Sequence, residues 1–316
     1  MADTSSIIFA IGVLTVAFAA AKALKLISIY LLPSRLSRFA HGTSNGQSPW
    51  ALVTGASDGI GRAFSHELAA RGFNVVLHGR NHAKLSRVMS GLQEDHPRRS
   101  FRILVADAST MPCVSWLEQT VYDLHLTVLI NNAGAGPTNP IYAPLSESSA
   151  ARVTSNVSLN ALFPLHLTRV LLPTLARNAP ALVVNISSMA DQGFPLLASY
   201  SASKQFLMNL TRAVGLEMAL QGKAGEVELL GIRVGRVTGV SGLQERPSLF
   251  TPDAQTMARA ALARVGRGHG IVVGYWAHAL QQLGVSLLPA WGRDRVIVNV
   301  MRRERASELK SESKRA

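Results

Sequence analysis

Tyr200 and Lys204, four residues apart, are the side chains of this chain whose types and spacing most clearly favour chemistry. On a helix, positions i and i+4 lie on one face, about 5–6 Å apart between Cβ atoms. An ammonium at that distance stabilises phenolate, so it lowers the pKa of a tyrosine from its usual value near ~10. Such a tyrosine can donate a proton to a carbonyl oxygen or accept one from an alcohol. The alternative is an ordinary pair on a helix surface.

A glycine-rich turn upstream could hold the cofactor that this chemistry needs. Trp50–Val53 is an apolar strand, Thr54–Gly61 is the turn, and Arg62–Arg71 reads as a helix with apolar residues on one side. This order brings backbone N–H groups and a helix N-terminus to a pyrophosphate. Glycine permits both the turn and the close approach of backbone to ligand. Because many glycine triplets are only tight turns, the setting between strand and helix carries the argument.

Several ordered motifs together resemble the short-chain dehydrogenase/reductase family. They are Thr-Gly-x-x-x-Gly-x-Gly at 54–61, Asn-Asn-Ala-Gly at 131–134, the active-site asparagine at Asn160, the active-site serine in Asn185–Ser188, and Tyr-x-x-x-Lys at 200–204. The resemblance runs from about Trp50 to about Thr238. It implies an α/β, Rossmann-type fold with a doubly wound parallel sheet.

The resemblance also implies a role for each matching residue. The catalytic set is Ser188, which orients the substrate carbonyl, Tyr200, which donates the proton, Lys204, which also reaches the nicotinamide ribose, and Asn160, which holds a water in a proton relay. The cofactor-binding residues are Gly55, Ser57, Asp58, Gly59, Ile60, Gly61, Arg80, Asp107, Asn132, Tyr200, Lys204, Val237 and Thr238. In that set Asp107 would bind the adenine, Asn132 would line the cofactor channel, and Thr238 would hold the nicotinamide carboxamide.

The sequence departs from the family pattern at two places. Ser188 lies one residue closer to Tyr200 than the family commonly shows, and Ser187 would restore the spacing. We choose Ser188, because the second serine of the pair is the usual one. The family's Pro-Gly before the threonine is replaced by Val234-Gly235, which predicts a less rigid loop.

The end of the second strand indicates which cofactor is preferred. It reads Leu77-His78-Gly79-Arg80-Asn81, with no acid to bind the ribose hydroxyls of NAD and with Arg80 free to face a 2′-phosphate. The sequence therefore favours NADP(H), although a solvated arginine is the plain alternative. Asp58 points the other way, because some NADP enzymes of the family carry a basic residue there.

The rest of the pattern predicts alternating strands and helices. Further strands are expected at 74–77, 101–106, 127–130, 181–186 and 227–234, with helices at 151–175, bent at Pro164, and at 199–220. We divide the chain into an N-terminal membrane anchor (1–40), a linker (41–49), a catalytic domain (50–270) and a C-terminal apolar segment with a basic tail (271–316).

The N-terminal segment is apolar enough to cross a membrane. Ile7 to Ala21 contains no charge, and apolar residues continue to Leu32. A span of about 20 apolar residues suffices for a transmembrane helix. A cleaved signal peptide is the rival, but Asp3 and the lack of a basic start speak against it. Lys22, Lys25 and later basic residues follow the span, which predicts an endoplasmic reticulum membrane protein with its catalytic domain in the cytosol.

The C-terminal part narrows the resemblance to the membrane-bound hydroxysteroid dehydrogenases and very-long-chain 3-oxoacyl-CoA reductases. Residues 271–291 are apolar but broken by polar residues and Pro289, which suits an interfacial or re-entrant element with Trp276 and Trp291 at the headgroup level. A buried helix of the substrate pocket is an equal alternative.

Composition limits the classes of partner. The net charge of +13 fits an anionic cofactor, an anionic substrate or a phospholipid surface. Short basic pairs without interleaved aromatics do not indicate nucleic-acid binding. The single cysteine, Cys113, rules out an internal disulfide, and no Cys/His cluster has zinc spacing. Homo-oligomerisation is left open.

These features predict a membrane-anchored, NADPH-dependent carbonyl reductase or alcohol dehydrogenase acting on a lipophilic substrate, such as a 3-oxoacyl-CoA or a steroid-like ketone. The alternatives are a ketoreductase of a specialised-metabolite pathway, a retinol or sterol dehydrogenase working in the oxidative direction, and a catalytically silent scaffold. The intact Ser, Tyr, Lys and Asn set argues against a scaffold, which has no need of it.

Overall fold

A parallel sheet of seven strands organises the computed structural model, which describes residues 3–110, 114–136, 140–240, 243–267 and 270–313. Cys113 lies outside these ranges. The strands are β1 (Trp50–Thr54), β2 (Asn74–Gly79), β3 (Phe101–Val105), β4 (Leu126–Asn131), β5 (Ala181–Ser188), β6 (Val227–Val234) and β7 (Ile271–Val273). Their order is β3-β2-β1-β4-β5-β6-β7, and neighbouring strands run parallel. The chain reverses its winding direction after β3, which places a switch point between β1 and β4.

Helices cover both faces of this sheet. They are α1 (Thr4–Leu31), α2 (Gly59–Ala70), α3 (His82–Asp95), α4 (Val114–Val121), α5 (Ala150–Val157), α6 (Phe163–Arg177), α7 (Ala198–Leu220), α8 (Ala254–Leu262), α9 (Trp276–Ser286) and α10 (Ala290–Ser313). Buried residues of α2, α3 and α8 form one core with every second strand residue, and those of α4, α6 and α7 form the other. Strands buried on both faces read as continuous apolar runs, which is why their pattern was visible in the sequence.

The predicted α/β fold and six of its strands are confirmed, with three corrections. Helix α2 begins at Gly59, so the last two glycines of the turn form its first turn instead of preceding it. The stretch from 151 to 175 is two α-helices joined by a π-helical turn at Ser158–Leu162. The C-terminal segment from 271 begins as a strand, because Ile271–Val273 pairs with β6 and completes the sheet.

The N-terminal segment is attached to the domain by its last turn. Most of α1 is exposed, but the Tyr30 hydroxyl donates to the Val273 carbonyl over 2.9 Å. Ser34 Oγ donates to the Leu262 carbonyl over 2.6 Å. Leu36 and Phe39 then pack in the core and are 2% and 1% exposed. The boundary that we drew at residue 40 therefore separates core residues from the domain that they belong to.

The C-terminal segment forms two helices on the domain surface. Helix α9 buries Ala277 and His278 and exposes Trp276, Leu280 and Leu283. Leu287, just after α9, and Trp291, in the first turn of α10, are also exposed, at 78% and 72%. The part of 271–291 beyond β7 is thus an apolar surface helix whose inner face packs on the domain, which combines elements of both alternatives.

Candidate active site

The carboxyl ends of β4, β5 and β6 open into a cavity of about 770 Å³. Loops after parallel strands meet at this edge of the sheet, next to the switch point, where open α/β sheets bind their ligands. The cavity is lined by Gly55, Asp58, Gly59, Ile60, Asn132–Gly136, Ile141, Tyr142, Ile186–Ser188, Tyr200, Lys204, Val234–Val237, Val240, Leu243, Glu304, Ser307 and Glu308. It therefore joins the glycine turn to the residues predicted to transfer protons.

Helix α7 places Tyr200 and Lys204 on the same side of the cavity. The helix begins at Ala198, so both residues lie in its first two turns, one above the other. Lys204 Nζ lies 5.9 Å from the centre of the Tyr200 ring and donates to the Ile186 carbonyl over 2.9 Å. Lys204 is 3% exposed. The Ile186 carbonyl thus holds the Lys204 ammonium near the end of β5, on the same side of the helix as Tyr200.

Burial sets the protonation of this pair. Burial raises the pKa of Tyr200, and the nearby Asp191 carboxylate raises it further, while a hydrogen bond with Ser188 lowers it. The sequence argument predicted a lowered pKa from Lys204 alone, and that expectation is wrong here because removal from water penalises the phenolate more strongly. Burial also lowers the pKa of Lys204 to about 8, against an opposing effect of Asp191.

The two candidate serines have different partners. Ser187 is buried, and its hydroxyl donates to Asp191 Oδ2 over 3.2 Å and to the Lys204 carbonyl over 3.1 Å. Ser188 forms the hydrogen bond with the Tyr200 side chain and accepts from the Ala190 amide over 3.1 Å. Of the pair, Ser188 is thus the one positioned beside the phenol, and Ser187 is committed to the scaffold below it.

The π-helical turn holds Asn160 at the back of the cavity. Pro164 has no amide hydrogen, so it cannot donate to the Asn160 carbonyl as an α-helix would require. The Phe163 amide donates to the carbonyl of Ser158, five residues earlier, which is the π-helical pattern. Asn160 Nδ2 donates to the Ala135 and Asn156 carbonyls over 3.0 and 2.9 Å. Among the described residues, its Oδ1 atom is buried without a hydrogen-bond partner. A buried carbonyl oxygen without a partner is a site for an ordered water.

Gly134 brings Asn160 and Lys204 to one point. A Cβ atom at residue 134 would lie 2.7 Å from Asn160 Oδ1 and 2.7 Å from Lys204 Nζ. Both polar atoms therefore approach the backbone of the Asn-Asn-Ala-Gly loop, and only a glycine leaves room for them. This proximity matches the expected relay from Asn160 to Lys204.

The glycine turn leaves space where a pyrophosphate would approach. Gly55 has φ of +69° and Gly59 φ of +53°, a region that other residues rarely adopt. A Cβ atom at Gly61 would lie 2.1 Å from the Gly55 carbonyl oxygen. Asn132 Nδ2 donates to the Thr54 carbonyl over 3.0 Å and so ties β4 to the turn. A side chain at these glycines would fill the space that the backbone of the turn leaves open, so the residues present here fit a bound dinucleotide.

Asp58 and Ile60 complete the turn in different ways. Asp58 is the N-cap of α2, and its Oδ1 accepts from the Gly59 amide over 2.7 Å. That contact satisfies the first amide of the helix and stabilises its N-terminus. Ile60 lines the cavity on its α2 side. Asp58 is therefore a helix cap, which is a reason for its presence that does not involve the 2′-phosphate.

A second cavity of about 490 Å³ lies where the adenosine end of a dinucleotide would bind. Ser57, Arg80 and Asp107 line it together. Asp107 Oδ1 accepts from the Ser109 amide and hydroxyl over 2.9 and 2.7 Å. Arg80 is exposed, and its charge helps to lower the pKa of Asp107. No hydrogen bond engages its guanidinium within the described part of the chain, so its N–H groups at the end of β2 are available to a ligand.

Val237 and Thr238, the two predicted cofactor-binding residues after β6, have different surroundings. Val237 lines the first cavity. Thr238 is buried, and its hydroxyl donates to the Glu245 carbonyl over 2.7 Å and accepts from the Glu245 amide over 2.9 Å. Its side chain is thus engaged in the loop beside the cavity, and the loop that lacks the family's Pro-Gly is held by this contact.

Three features of the site escaped the sequence analysis. Glu304 and Glu308 reach the cavity from α10, where Glu304 pairs with Arg236 over 2.6 Å and Glu308 accepts from the Tyr142 amide over 3.1 Å. His78 is buried against Phe163, and burial lowers its pKa to about 4. Asp191 is buried, and its charge acts on both Tyr200 and Lys204. The four-residue spacing of Glu304 and Glu308 indicates that both lie on one face of a helix, whereas no motif marks His78 or Asp191.

The sequence and the fold of this chain are similar to those of known proteins. The sequence profile of short chain dehydrogenases matches residues 49–242. A very-long-chain 3-oxoacyl-CoA reductase-like protein of Arabidopsis thaliana is 33% identical over 82% of this chain and 80% of its own. A very-long-chain 3-oxoacyl-CoA reductase of Caenorhabditis briggsae is 31% identical over 84% of each.

The solved structures include a metagenomic short-chain oxidoreductase in complex with NADP. It is 25% identical, superposes with a TM-score of 0.57, and covers 71% of this chain and 96% of its own. The fold, the ordered motifs and the profile match agree with one another. The chain therefore belongs to the short-chain dehydrogenase/reductase family and is an oxidoreductase that acts on carbonyl or alcohol groups.

Proposed function

We propose that this protein is an NADP(H)-dependent reductase that converts the ketone of a lipophilic 3-oxoacyl-CoA into an alcohol. The observation that carries the proposal is the convergence of Ser188, Tyr200 and Lys204 on the cavity that also contains the glycine turn. The relatives named as very-long-chain 3-oxoacyl-CoA reductases support the substrate class. The NADP complex of the metagenomic relative and the unengaged Arg80 support the cofactor.

The residues of this chain divide the work between binding and proton transfer. NADPH, when bound, supplies the hydride. Ser188 donates a hydrogen bond to the substrate carbonyl and orients it beside the phenol of Tyr200. Tyr200 transfers its proton to the carbonyl oxygen as that atom gains negative charge. Its raised pKa keeps it protonated at neutral pH, which suits the reductive direction.

Lys204 and Asn160 restore the proton that Tyr200 gives up. The ammonium of Lys204 stabilises the phenolate at the moment of transfer, when the charge exists. Asn160 Oδ1, which lacks a partner among the described residues, would hold a water near Lys204 Nζ. The proton would then pass from solvent through this water to Lys204 and Tyr200. Arg80 would bind the 2′-phosphate at the other end of the cofactor.

The cavity walls fit an elongated apolar substrate. Ile141, Val237, Val240 and Leu243 line the cavity together with Tyr142. Glu304 and Glu308 of helix α10 also line it, and their partners lie in the loop after β4 and the loop after β6. An acyl chain would lie along the apolar wall, with its 3-oxo group at Ser188 and Tyr200.

We propose that the protein is anchored in the endoplasmic reticulum membrane with its catalytic domain in the cytosol. Within the described residues, α1 is the helix that is long and apolar enough to cross a membrane. Its last turn is bonded to β7, and α9 with its exposed Trp276 and Leu280 follows that strand. Basic residues after the span favour the cytosolic side. Lipid around α9 would explain its exposed apolar face.

A substrate panel with membranes containing the full chain tests the function. Long-chain 3-oxoacyl-CoA, steroid ketones and retinal would each be offered with NADPH, and consumption of NADPH would be measured. Tyr200→Phe should lower the rate on the best substrate by a factor on the order of 10² or more while NADPH still binds. Tyr122→Phe makes the same change on a tyrosine that is 65% exposed, and should leave the rate unchanged. A Tyr200→Phe protein with a normal rate would refute the assignment.

A further inference from the structure

A buried ion pair lies directly beneath the residues assigned to proton transfer. Arg233 Nε donates to Asp191 Oδ2 over 2.7 Å, and the Asp191 side chain is fully buried while that of Arg233 is 20% exposed. The two residues are 42 positions apart in the chain. Asp191 lies in the connection between β5 and α7, and Arg233 lies near the end of β6. Burying two charges costs free energy unless their mutual attraction and their hydrogen bonds compensate for the lost hydration.

The Asp191 carboxylate connects three elements around the site. Oδ2 also accepts from Ser187 Oγ over 3.2 Å, and the same hydroxyl donates to the Lys204 carbonyl over 3.1 Å. Oδ1 accepts from Gln192 Nε2 over 2.7 Å. Ser187 and Arg233 are also partners in the β5–β6 register. The network therefore links the end of β6, the end of β5 and the backbone of Lys204 itself.

The same carboxylate is a fixed charge next to Tyr200 and Lys204. It raises the pKa of Tyr200 and opposes the lowering of the pKa of Lys204 by burial. The other ionisable groups around the cavity are Asp58 on α2, Tyr142 after β4, Arg236 after β6, and Glu304 and Glu308 on α10. Arg236 and Glu304 are paired with each other over 2.6 Å, and Asp58 caps a helix. Asp191 is the one of these carboxylates that acts on both members of the pair from the scaffold side.

We propose that Asp191 and Arg233 are positioning residues for proton transfer: the pair holds the end of β5 against α7 and presents one fixed negative charge to Tyr200 and Lys204. This inference rests on the proposed role of Tyr200. It adds two residues that touch neither the cofactor nor the carbonyl. Arg233 supplies the opposite charge that compensates the buried carboxylate for its lost hydration.

The charge can be tested by the ionisation of Tyr200, which needs no substrate. Ultraviolet absorbance of phenolate would be followed against pH in the full chain, and the same titration of Tyr200→Phe would be subtracted to isolate Tyr200. In Asp191→Asn the midpoint should move to lower pH, since the charge that disfavours phenolate is gone. An unchanged midpoint in Asp191→Asn overturns the proposal.

A double variant separates charge from packing. Asp191→Asn alone leaves Arg233 without its partner and should lower the melting temperature, whereas Asp191→Asn with Arg233→Gln should recover it. Under the proposal the double variant still titrates at lower pH than the wild type, and its pH profile of kcat/KM moves in the same direction. If the double variant recovers both the melting temperature and the wild-type midpoint, the pair is only structural and the proposal is wrong.

An exposed ion pair of the same residue types supplies the control for the loss of charge. Arg102 and Asp123 are joined over 2.8 Å at the N-terminal edge of the sheet, on the side away from the cavity. Asp123→Asn removes the same charge and should leave the Tyr200 midpoint at its wild-type pH. An inactive wild type in the substrate panel would refute the proposed function, and the titration would still decide this inference.

Discussion

Replacing Gly134 by alanine should slow turnover strongly without unfolding the protein. The new Cβ atom would lie 2.7 Å from both Asn160 Oδ1 and Lys204 Nζ, whereas ordinary contacts begin at 3.4 Å. The difference of 0.7 Å (3.4 − 2.7) has to be absorbed by these two side-chain ends. Gly134 has no positive φ, so the backbone itself accepts alanine without strain. Asn160 and Lys204 therefore move, and the fold does not.

The size of the effect follows from that displacement. Moving Lys204 Nζ by most of an ångström weakens its 2.9 Å hydrogen bond to the Ile186 carbonyl and removes the ammonium from its place beside Tyr200. A misplacement of about 1 Å can cost on the order of 10²-fold in rate. That factor corresponds to about 2.7 kcal/mol of barrier. We expect kcat to fall by this amount, with the melting temperature within a few degrees of the wild type.

The control is a glycine before β6, at the end of the sheet away from the cavity. A Cβ atom at Gly225 would meet nothing within 4 Å, so Gly225→Ala should keep the wild-type kcat. Steady-state rates with the best ketone and NADPH would be compared for the two variants, together with thermal unfolding. A Gly134→Ala enzyme with a wild-type kcat would show that the positions of Asn160 and Lys204 do not matter for the reaction, and the argument would fail.

Three further outcomes are expected. Arg80→Ala should weaken NADPH binding by roughly 10- to 100-fold, the equivalent of one charge-assisted contact, and leave NADH binding unchanged; Arg87→Ala on the next helix is the control, and equal loss for both cofactors would place Arg80 away from the 2′-phosphate. The pKa of Lys204 is about 8 in the fold against 10.5 for the free side chain, so the unfolded state binds more protons between these values. Lys204 therefore lowers the free energy of unfolding below about pH 8, and this loss disappears as the pH rises towards 10.5. Lys204→Met should abolish the increase in the free energy of unfolding between these pH values. An unaltered pH dependence would contradict the lowered pKa. Deleting the first 40 residues removes the buried Leu36 and Phe39 and should cost several kcal/mol of stability, at roughly 2–5 kcal/mol for each large core side chain. Deleting only the first 28, which keeps the bond between Tyr30 and β7, should leave the melting temperature near that of the full chain.

The sheet was predictable because its signals are local and repeated. Each of the first six strands is an apolar run bounded by turn residues, and the glycine turn marks the first crossover. The seventh strand is three residues long and continues into an apolar helix, so no alternation distinguished it. Pro164 correctly indicated an irregular helix, but periodicity alone could not show that the irregularity is a π-helical turn.

The contents of the site were predictable from motifs, and their environment was not. Tyr200 and Lys204 lie together as the helical spacing requires, yet the pKa of Tyr200 depends on burial, which a sequence pattern does not measure. Asp191 and Arg233 are far apart in sequence and meet only through the β5–β6 pairing. The engagement of Thr238 by Glu245 depends likewise on how one loop closes. Contacts between distant segments are what a single sequence leaves out.

The π-helical turn also fixes how the chain can change. A π-helical turn takes up one residue more than an α-helical turn over about the same rotation, so straightening it with its length unchanged would rotate everything after it by about 100° around the helix axis. The buried stripe of Phe163, Leu167, Leu171 and Leu175 faces the sheet only while the turn takes up that residue. Deleting one residue from 158–162 would instead allow a continuous α-helix with the stripe still facing the sheet. The π-helical turn that positions Asn160 is therefore stabilised by the packing of the helix that follows it. A mutation that straightened the helix without shortening it would destabilise the core as well as move Asn160.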